Sequence, residues 1–358
     1  MTYAPISRTM AQGITDGVFP GAVLLCANGS DIFFFEAFGL ADLETKRQMR
    51  IDAVFDLASL TKPLATAVAM MLLVQEGRLG LKTCLGDVLP AAAGTSKAFI
   101  TMDMLLRHTS GLPPHREYFK TIYQQPDPLY SLRKRLLSEP LQKNPGVSQI
   151  YSDLGYMLLC WVIETVTQKR LDHFVRDRIT SPLGIKDLFF IDTRTNGLPV
   201  NPDRLVSTRN CPFRKRILTG EVEDENAWAA GGIQGHAGLF GDAASIYILC
   251  LEILCGLAQR PTRILDPEIL AGFVKKYPGK TMVAGFDTPS QTGSSAGRFF
   301  SQKAVGHLGF TGTSFWIDPE TSLVVILLTN RVHPSRSNEK IKNFRPKIHD
   351  CIANCLRF

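Results

Sequence analysis

The feature that most constrains the fold is a pair of apolar, strand-like hairpins at opposite ends of the chain. Near the N-terminus, residues 22–27 and 32–38 are strand-like runs joined by a turn. Near the C-terminus, residues 313–317 and 323–328 repeat this pattern, and a helical tail follows over about 338–356. Because an isolated hairpin is only marginally stable, we expect both hairpins to join one antiparallel sheet flanked by helices.

The middle of the chain is predicted to be a mainly helical insertion. Residues 64–76 form an apolar helical run that ends at Gly77, and residues 154–166 are apolar at helical intervals. The length of 358 residues favours one catalytic unit with a large insertion. We therefore expect an α/β (α+β) fold. The single unit, residues 1–358, divides into an α/β subdomain and a helical insertion, which cover about 1–75 with 285–358 and about 76–284.

The composition is that of an ordinary globular protein. Hydrophobic residues make up 45% of the chain and charged residues 20%, which allows a sizeable core. The longest apolar stretch, residues 64–74, is shorter than the roughly 20 residues needed to cross a bilayer, so we expect no membrane partner. The first 29 residues lack a basic region followed by an apolar block, which favours a cytoplasmic location.

Cysteine spacing and net charge argue against two further classes. The eight cysteines follow no disulfide-framework pattern, which is typical of reduced thiols. Cys351 and Cys355 lie one helical turn apart beside His349, but no C-x-x-C pair accompanies them, so we expect neither a metal nor another cofactor. The net charge of +7 comes with basic runs that lack interleaved aromatic residues, so we expect no nucleic-acid partner.

The pattern S-x-x-K points to nucleophilic catalysis, because a Ser at a helix start and a Lys one turn later share a face. The chain contains three copies, at residues 59–62, 131–134 and 337–340. Only Ser59 follows an apolar segment and opens an apolar helix, whose first N–H groups favour a developing anion. The other two copies are interpreted as exposed helix surface. A G-x-S-x-G sequence at residues 293–297 lacks the strand and helix of a nucleophile elbow and is interpreted as a loop.

Three short segments taken together are more specific. SLTK at residues 59–62, YSD at 151–153 and HLG at 307–309 occur in a matching order and spacing. They resemble the S-x-x-K, Y-x-N and K-T-G or H-x-G motifs of the superfamily that contains class C beta-lactamases, DD-peptidases and family VIII esterases. The likeness extends over nearly the whole chain. It implies a beta-lactamase/transpeptidase-like fold and a serine hydrolase that forms an acyl-enzyme.

The resemblance implies a role for each motif residue. Ser59 is the expected nucleophile, Lys62 the cation that lowers its neighbour's pKa or accepts its proton, and Tyr151 the second base. An ordinary Lys or Tyr has a pKa of about 10 and is a poor base at neutral pH, so burial or neighbouring charge must tune both. The backbone N–H groups of Ser59 and Phe310 are expected to form the oxyanion hole, with Gly309 lining the site.

Two departures from the commonest motif forms bear on the substrate, which we expect to be a small-molecule ester or amide. An ionised Asp153 offers only hydrogen-bond acceptors, which suits holding Lys62 but not a substrate carbonyl. His307 stands where the motif has Lys or His, and it is largely neutral at pH 7, so it binds a substrate carboxylate weakly. Both favour small carboxylic esters. The alternatives are a beta-lactamase or DD-carboxypeptidase, and a non-hydrolytic penicillin- or peptide-binding sensor.

Several further residues belong to the resemblance without clear chemistry. His108 is interpreted as a helix-end residue that bonds nearby backbone, and His236 as a tight-turn residue. Residues 224–226 are expected to cap a helix rather than line the cleft. Residues 196–220 and 279–297 show the least periodicity, and either segment is a candidate substrate-facing loop.

Overall fold

The computed structural model of the protein describes residues 3–195 and 197–356. The strands, in chain order, are β1 (Gly21–Asn28), β2 (Asp31–Asp42), β3 (Arg47–Gln48), β4 (Phe55–Asp56), β5 (Leu188–Phe190), β6 (Ser207–Cys211), β7 (Arg216–Thr219), β8 (Leu239–Gly241), β9 (Val305–Leu308), β10 (Ser314–Asp318) and β11 (Leu323–Thr329). The α-helices are α1 (Ala4–Thr15), α2 (Val68–Gln75), α3 (Leu85–Val88), α4 (Met102–Leu106), α5 (Phe119–Ile122), α6 (Pro128–Ser138), α7 (Asp153–Thr167), α8 (Leu171–Val175), α9 (Ser181–Leu183), α10 (Glu225–Ala229), α11 (Ala243–Leu257), α12 (Pro267–Val274) and α13 (Ile341–Leu356). Shorter 3₁₀ and π-helical turns cover Ala58–Leu60, Lys62–Ala67, Pro90–Ala92, Arg176–Thr180 and Pro202–Arg204.

The two terminal hairpins join one six-stranded sheet with the order β3-β2-β1-β11-β10-β9. The join is the antiparallel pairing of β1 with β11, in which Leu25 lies opposite Ile326. This arrangement confirms the fold predicted from the sequence. The chain ends thus pair with each other, and everything between residues 49 and 304 is inserted between the two halves of the sheet.

Both faces of the sheet are buried, because successive residues of a strand point to opposite sides. On one face, α1 and α13 pack through Met10 and Ile348 against Leu24 and Trp316. The opposite face carries Leu25 and belongs to a larger core formed with the inserted helices. Helix α11 lies on the central strands β1, β10 and β11, so the insertion returns to cover the sheet.

The insertion is mainly helical, as the sequence predicts, but it also contains short strands that the sequence analysis did not predict. β8 pairs with β4 on one side and with β5 on the other, and β6 pairs with β7. These strands are two to five residues long, too short for a period-two pattern to stand out. The predicted subdomain boundaries near residues 75 and 285 stay a prediction.

The apolar helical segment Ala58–Gln75 is long and apolar enough to cross a membrane by length and composition alone. The structure starts this segment six residues earlier than the apolar run in the sequence. However, 83% of the segment is buried inside the protein, where it forms the centre of the larger core. A mostly buried core helix passes the same test, so the expectation of no membrane partner stays a prediction.

Candidate active site

Ser59 lies in a strained turn that opens the buried helical segment. The preceding residue, Ala58, has φ = +48°, a left-handed conformation that costs energy for a residue with a side chain. The Asp56 carboxylate holds this turn, since Oδ1 accepts the Ala58 N–H at 2.8 Å and Oδ2 accepts the Glu223 N–H at 2.6 Å. The Thr61 hydroxyl donates to the Ala58 carbonyl at 2.6 Å. We call residues 56–61 the nucleophile turn.

Lys62 brings a cation to the nucleophile, one helical turn after Ser59. Its fully buried ammonium donates to Ser59 Oγ at 3.0 Å, to Asp153 Oδ1 at 2.8 Å and to the His236 carbonyl oxygen at 3.3 Å. These contacts engage all three N–H groups of an ammonium. The structure thus brings residues of the first and second motifs together, 91 positions apart in sequence.

The electrostatics of this pair favour the charged state of both partners. Burial by itself lowers the pKa of Lys62, but the charge of Asp153, together with Tyr151, leaves it above its ordinary value. Burial likewise raises the pKa of Asp153. The charge of Lys62, a hydrogen bond with His115 and the charge of His236 outweigh burial and leave the pKa well below its usual range. Lys62 is therefore held as an ammonium and Asp153 as a carboxylate.

Tyr151 packs beside the same ammonium, whose nitrogen lies 4.7 Å from the phenol ring centroid. Burial raises the pKa of the phenol, and the neighbouring Lys62 charge opposes this only in part, so the net pKa is above the ordinary value. Tyr151 is therefore a neutral phenol at neutral pH. The His108 ring stacks on Tyr151 with centroids 4.5 Å apart, and its Nδ1 accepts the Ser152 N–H at 3.0 Å. His108 thus bonds backbone 44 positions away in the second motif, rather than the backbone beside it in sequence.

The third motif lies at the end of β9, and the chain then turns back into β10. The Gly309 N–H donates to the Thr313 carbonyl oxygen at 2.7 Å, which reverses the chain after the motif. A Cβ at Gly309 would lie 2.0 Å from Thr313 Oγ1, so this position requires glycine. We call residues 309–313 the oxyanion loop.

His307 is buried behind the site rather than on its surface. Its ring centroid lies 6.0 Å from that of Tyr151, and its Nδ1 bonds the Leu308 carbonyl oxygen at 2.9 Å. Burial lowers the pKa of His307 below its ordinary value, so the imidazole is neutral at pH 7. Neither His307 nor Gly309 is among the cavity-lining residues, whereas Asp153 is.

Two hydroxyl groups tie the oxyanion loop to the nucleophile turn. Thr311 Oγ1 donates to the Asp56 carbonyl oxygen at 2.8 Å, and Thr313 Oγ1 donates to the Leu57 carbonyl oxygen at 3.1 Å. In the described part of the chain, the backbone N–H groups of Ser59 and Phe310 have no hydrogen-bond acceptor. Both residues line the same cavity, so these two donors are available to an oxyanion there.

The cavity in front of Ser59 has a volume of about 550 Å³. Five carboxylate side chains line it, against one arginine and two histidines. We call the lining carboxylates other than Asp153 the acidic wall: Glu117, Glu223, Asp224 and Glu225. The arginine is Arg336, whose guanidinium lies 3.5 Å from Glu225 and 3.9 Å from Glu223. Buried Arg209, behind the lining, pairs with Glu223 and Glu225, and burial raises the pKa of Glu223 to about 7. Carboxylates therefore outnumber cations in the lining, although much of their charge is paired.

Residues 6–345 match the Beta-lactamase family, which covers nearly the whole chain. The chain belongs to this family. It is a serine hydrolase of the beta-lactamase fold, which confirms the resemblance and the fold class inferred from the motifs. The catalytic roles assigned to individual residues stay predictions, supported by the geometry above.

Relatives of this beta-lactamase family protein carry several different names. A Salmonella typhimurium (strain LT2) protein named as a D-alanyl-D-alanine carboxypeptidase is 29% identical over 363 residues, which cover 92% of this chain and 83% of that protein. Among solved structures, EstCE1, described as a hydrolase with promiscuous acyltransferase activity, has a TM-score of 0.74 at 22% identity and covers 98% of this chain and 97% of its own. An octameric penicillin-binding protein homologue from Pyrococcus abyssi has a TM-score of 0.75 at 18% identity and covers 100% of this chain and 78% of its own. At these identities the two structures share the fold.

Sequence reasoning missed several contributors to the site, among them Glu117, Glu223 and Arg336 of the cavity lining and the contacts of two histidines. His115 Nδ1 lies 3.3 Å from Asp153 Oδ2, on the side of the carboxylate away from Lys62, and the ring lines the cavity. His236, interpreted only as a turn residue, bonds Asp224 Oδ1 through Nε2 at 2.9 Å. Asp224 also caps α10 by accepting the Ala227 N–H at 2.8 Å, as predicted, and in addition it lines the cavity. A lone histidine in a loop carries no sequence pattern that predicts such a contact.

The ligand atoms of His115, Asp153 and Asp224 lie within 4.8 Å of one another, a spacing that by distance suits a metal ion. However, Asp153 already pairs with the Lys62 ammonium, and Asp224 pairs with His236. These groups satisfy one another by hydrogen bonding, so the residues do not call for a metal.

The other segments that the sequence singled out lie outside the cavity lining. Ser131 lies on α6, and Ser337 lies in an exposed turn before α13 rather than on a helix. Residues 293–297 form a loop, as predicted. Neither candidate substrate-facing loop contributes a described residue to the cavity; residues 197–220 instead contain the β6–β7 hairpin, and Asn196 lies outside the described residues.

Proposed function

We propose that the protein is an esterase that forms an acyl-enzyme on Ser59 with small carboxylic esters that bear no negative charge near the reacting carbonyl. The observation that carries the proposal is the Lys62 ammonium 3.0 Å from Ser59 Oγ, held by Asp153 within an acidic cavity. This arrangement stabilises negative charge on the nucleophile and repels negative charge elsewhere on the substrate.

In acylation, Ser59 Oγ attacks the ester carbonyl carbon, and the bond from that carbon to the leaving alkoxide breaks. The Ser59 proton passes to the Tyr151 oxygen while the neutral phenol gives its own proton to the leaving oxygen, so Tyr151 ends unchanged. Lys62 remains an ammonium and stabilises the charge that develops on Oγ. The N–H groups of Ser59 and Phe310 receive the carbonyl oxygen as it becomes an oxyanion.

Deacylation is the same sequence with water in place of the alcohol. Water attacks the acyl carbon, Tyr151 relays its proton to Ser59 Oγ, and the carboxylic acid leaves. An alcohol that replaces this water gives a new ester instead, so the same site supports acyl transfer. Because the phenol relays protons without a net change of charge, the two half-reactions need no external base.

Three features support an uncharged ester over a penicillin. The third motif presents a neutral, buried His307 where a lysine would bind a substrate carboxylate. Asp153 is committed to Lys62 and offers no donor to an amide carbonyl. Even with Glu223 and Glu225 paired to arginines, carboxylates outnumber cations in the lining, which disfavours close approach of a substrate carboxylate.

A D-alanyl-D-alanine carboxypeptidase is the second candidate, favoured by the name of the Salmonella relative. Such a substrate ends in a free carboxylate beside the scissile amide. Arg336 is the one arginine among the described residues of the cavity lining that could bind that carboxylate, and it lies beside Glu223 and Glu225, which pair more closely with buried Arg209. The acidic wall therefore ranks this activity below ester hydrolysis.

Turnover of three substrates tests this ranking. We expect kcat/KM to fall in the order p-nitrophenyl butyrate, nitrocefin, and a peptide that ends in D-Ala-D-Ala. Ser59→Ala should abolish the first activity, and Ser131→Ala, at a second S-x-x-K copy outside the cavity, should leave it unchanged. A protein that hydrolyses the peptide faster than the ester would reverse the assignment, and full ester turnover by Ser59→Ala would exclude this site.

A further inference from the structure

Two buried arginines lie directly behind the oxyanion loop. Arg345 is on α13, and Arg331 follows β11. Both are less than a tenth exposed, and neither forms an ion pair with a carboxylate in the described part of the chain. Buried cations are almost always paired, because desolvation of an unpaired charge is costly. Both guanidinium groups donate instead to backbone carbonyl oxygens.

Arg345 binds the first peptide of the oxyanion loop. Its Nη2 donates to the Gly309 carbonyl oxygen at 3.3 Å and to the Thr313 carbonyl oxygen at 2.9 Å. The Gly309 carbonyl and the Phe310 N–H belong to the same planar trans peptide and point in opposite directions. A guanidinium that draws the Gly309 oxygen towards α13 therefore turns the Phe310 N–H away from α13, to the side where Ser59 and Phe310 line the cavity.

Arg331 binds the next peptide of the same loop. Its Nε donates to the Phe310 carbonyl oxygen at 2.8 Å, its Nη2 binds the same oxygen, and its guanidinium lies 4.7 Å from the Phe310 ring centroid. Its Nη1 in turn donates to the Arg336 and Asn338 carbonyl oxygens at 3.1 Å and 2.6 Å. The peptides on both sides of Phe310 are thus each fixed by a buried cation.

We propose that Arg345 is a positioning residue that orients the Gly309–Phe310 peptide so that its N–H serves the oxyanion hole, with Arg331 securing the following peptide. This role rests on the proposed acylation of Ser59. A cation on the carbonyl oxygen also polarises the peptide, which makes the opposite N–H a stronger donor. The Gly309 carbonyl oxygen also accepts the Gly312 N–H at 3.1 Å, so loss of Arg345 removes one of its two hydrogen bonds and lowers the barrier to rotation of the peptide. A rotated peptide presents a carbonyl oxygen to the developing anion.

The experiment compares an ester with its thionoester, in which sulfur replaces the carbonyl oxygen. Sulfur is a weak hydrogen-bond acceptor, so the thionoester gains little from the oxyanion hole, although the attack and the cavity are the same. We expect Arg345→Met to lower kcat for p-nitrophenyl butyrate by about 10- to 100-fold with little change in KM, since one lost oxyanion donor costs up to roughly 1000-fold. The rate with the thionoester should stay within about 3-fold of wild type.

A matched control is Lys97→Met, which removes another buried cation that donates to two backbone carbonyl oxygens, those of Leu137 and Glu139, outside the cavity. This variant should leave the ester-to-thionoester ratio unchanged. If Arg345→Met does not fold by circular dichroism, Arg345→Lys takes its place, and a smaller loss confined to the ester is expected. Equal losses on both substrates in the folded variant would overturn the positioning role alone. A wild-type protein that hydrolyses neither substrate would overturn the proposed function instead.

Discussion

The Lys62 ammonium lies 2.8 Å from Oδ1 of Asp153, with the lysine fully buried and the aspartate side chain 19% exposed. Asp153 stands at the third position of the Y-x-N motif, where asparagine is the commoner residue. A carboxylate at this position keeps the lysine charged, so in the proposed mechanism Lys62 stabilises negative charge on Ser59 Oγ rather than accepting a proton. The proton relay then falls to Tyr151, which burial keeps neutral.

Replacing Asp153 by Asn should change both stability and substrate preference. Asp153→Asn leaves the buried Lys62 with neutral partners only. The amide oxygen of the new asparagine still accepts a hydrogen bond from Lys62. The free energy of unfolding should therefore fall by about 1–3 kcal/mol, less than for full loss of a buried pair. We expect butyrate ester turnover to decrease about 10-fold, or roughly 1.4 kcal/mol of activation free energy, and the ratio of nitrocefin to ester turnover to rise. Denaturation and steady-state kinetics measure these quantities.

The control for this substitution is Asp103→Asn. Asp103 pairs with Arg107 at 2.7 Å with similar exposure, 2% for the arginine and 21% for the aspartate, but outside the cavity lining. It should lower stability without altering the substrate ratio. Because the pKa of Asp153 is depressed in the folded protein, its stabilising effect is complete above the ordinary pKa of about 3.9 and is lost as the pH falls further. A stability difference between wild type and Asp153→Asn that is unchanged from pH 6 to pH 2 would contradict the ion pair.

The pH dependence of kcat should be flat on the alkaline side. The pKa values of Lys62 and Tyr151 are both raised, so the ammonium and the phenol persist as the pH climbs towards 10. We expect kcat for butyrate ester hydrolysis to stay constant between about pH 7 and 9.5, after subtraction of the rate with Ser59→Ala. An alkaline decline with a midpoint near pH 8 would mean that one of the two groups titrates there, and would contradict the assigned protonation states.

The sequence predicted the parts of the site that local patterns encode. Ser59 and Lys62 share a helix face by spacing alone, and the terminal hairpins had to pair because neither is stable by itself. The contacts of Lys62 with Asp153 and His236 span 91 and 174 positions, so no local pattern could give their distances. The capping role of Asp224 followed from its position before a helix, whereas its bond to His236 depends on how two loops meet.

In the oxyanion loop, too, the sequence predicted the motif residue but not the tertiary contacts that explain it. Gly309 was predicted to be part of the motif, but the reason for glycine, a Cβ 2.0 Å from Thr313 Oγ1, is a tertiary contact of the turn. The two arginines behind the loop lie in and before the C-terminal helix, where basic residues ordinarily face solvent. Only the packing of α13 on the sheet shows that Arg345 points inward.

Gly309→Ala should disturb the oxyanion loop directly. The new methyl group would also meet the Leu57 carbonyl oxygen at 2.7 Å, so the loop must move away from the nucleophile turn. We expect a loss of about 1–3 kcal/mol in the free energy of unfolding and at least about a 10-fold decrease in kcat. Gly272→Ala on α12 is the control, because a Cβ there meets no atom within 4 Å and alanine favours a helix. Wild-type kcat in Gly309→Ala would show that the loop position does not limit catalysis.

Asp56→Asn should loosen the nucleophile turn. One Asp56 oxygen accepts the Ala58 N–H and the other accepts the Glu223 N–H. In Asp56→Asn the amide NH₂ would face one of these backbone N–H groups, which would lose its acceptor. Leaving a buried donor unpaired costs about 1–3 kcal/mol, and we expect kcat to fall more than KM rises because Ser59 loses its fixed position. Asp177→Asn, at exposed ion pairs with Lys169 and Arg176, should change neither kcat nor the free energy of unfolding appreciably. An unchanged kcat in the folded Asp56→Asn variant would separate the turn from catalysis.

The most direct measurement of the central claim is intact-protein mass spectrometry after treatment with a fluorophosphonate. The structure places a hydroxyl, an ammonium and two unpaired N–H groups together at Ser59, so we predict one covalent adduct on wild type, located to Ser59 by peptide mapping, and none on Ser59→Ala. Brief exposure to p-nitrophenyl butyrate should give a transient butyryl adduct on the same residue. An unlabelled wild-type protein, or equal labelling of Ser59→Ala, would contradict the assignment of Ser59 as the acylated nucleophile.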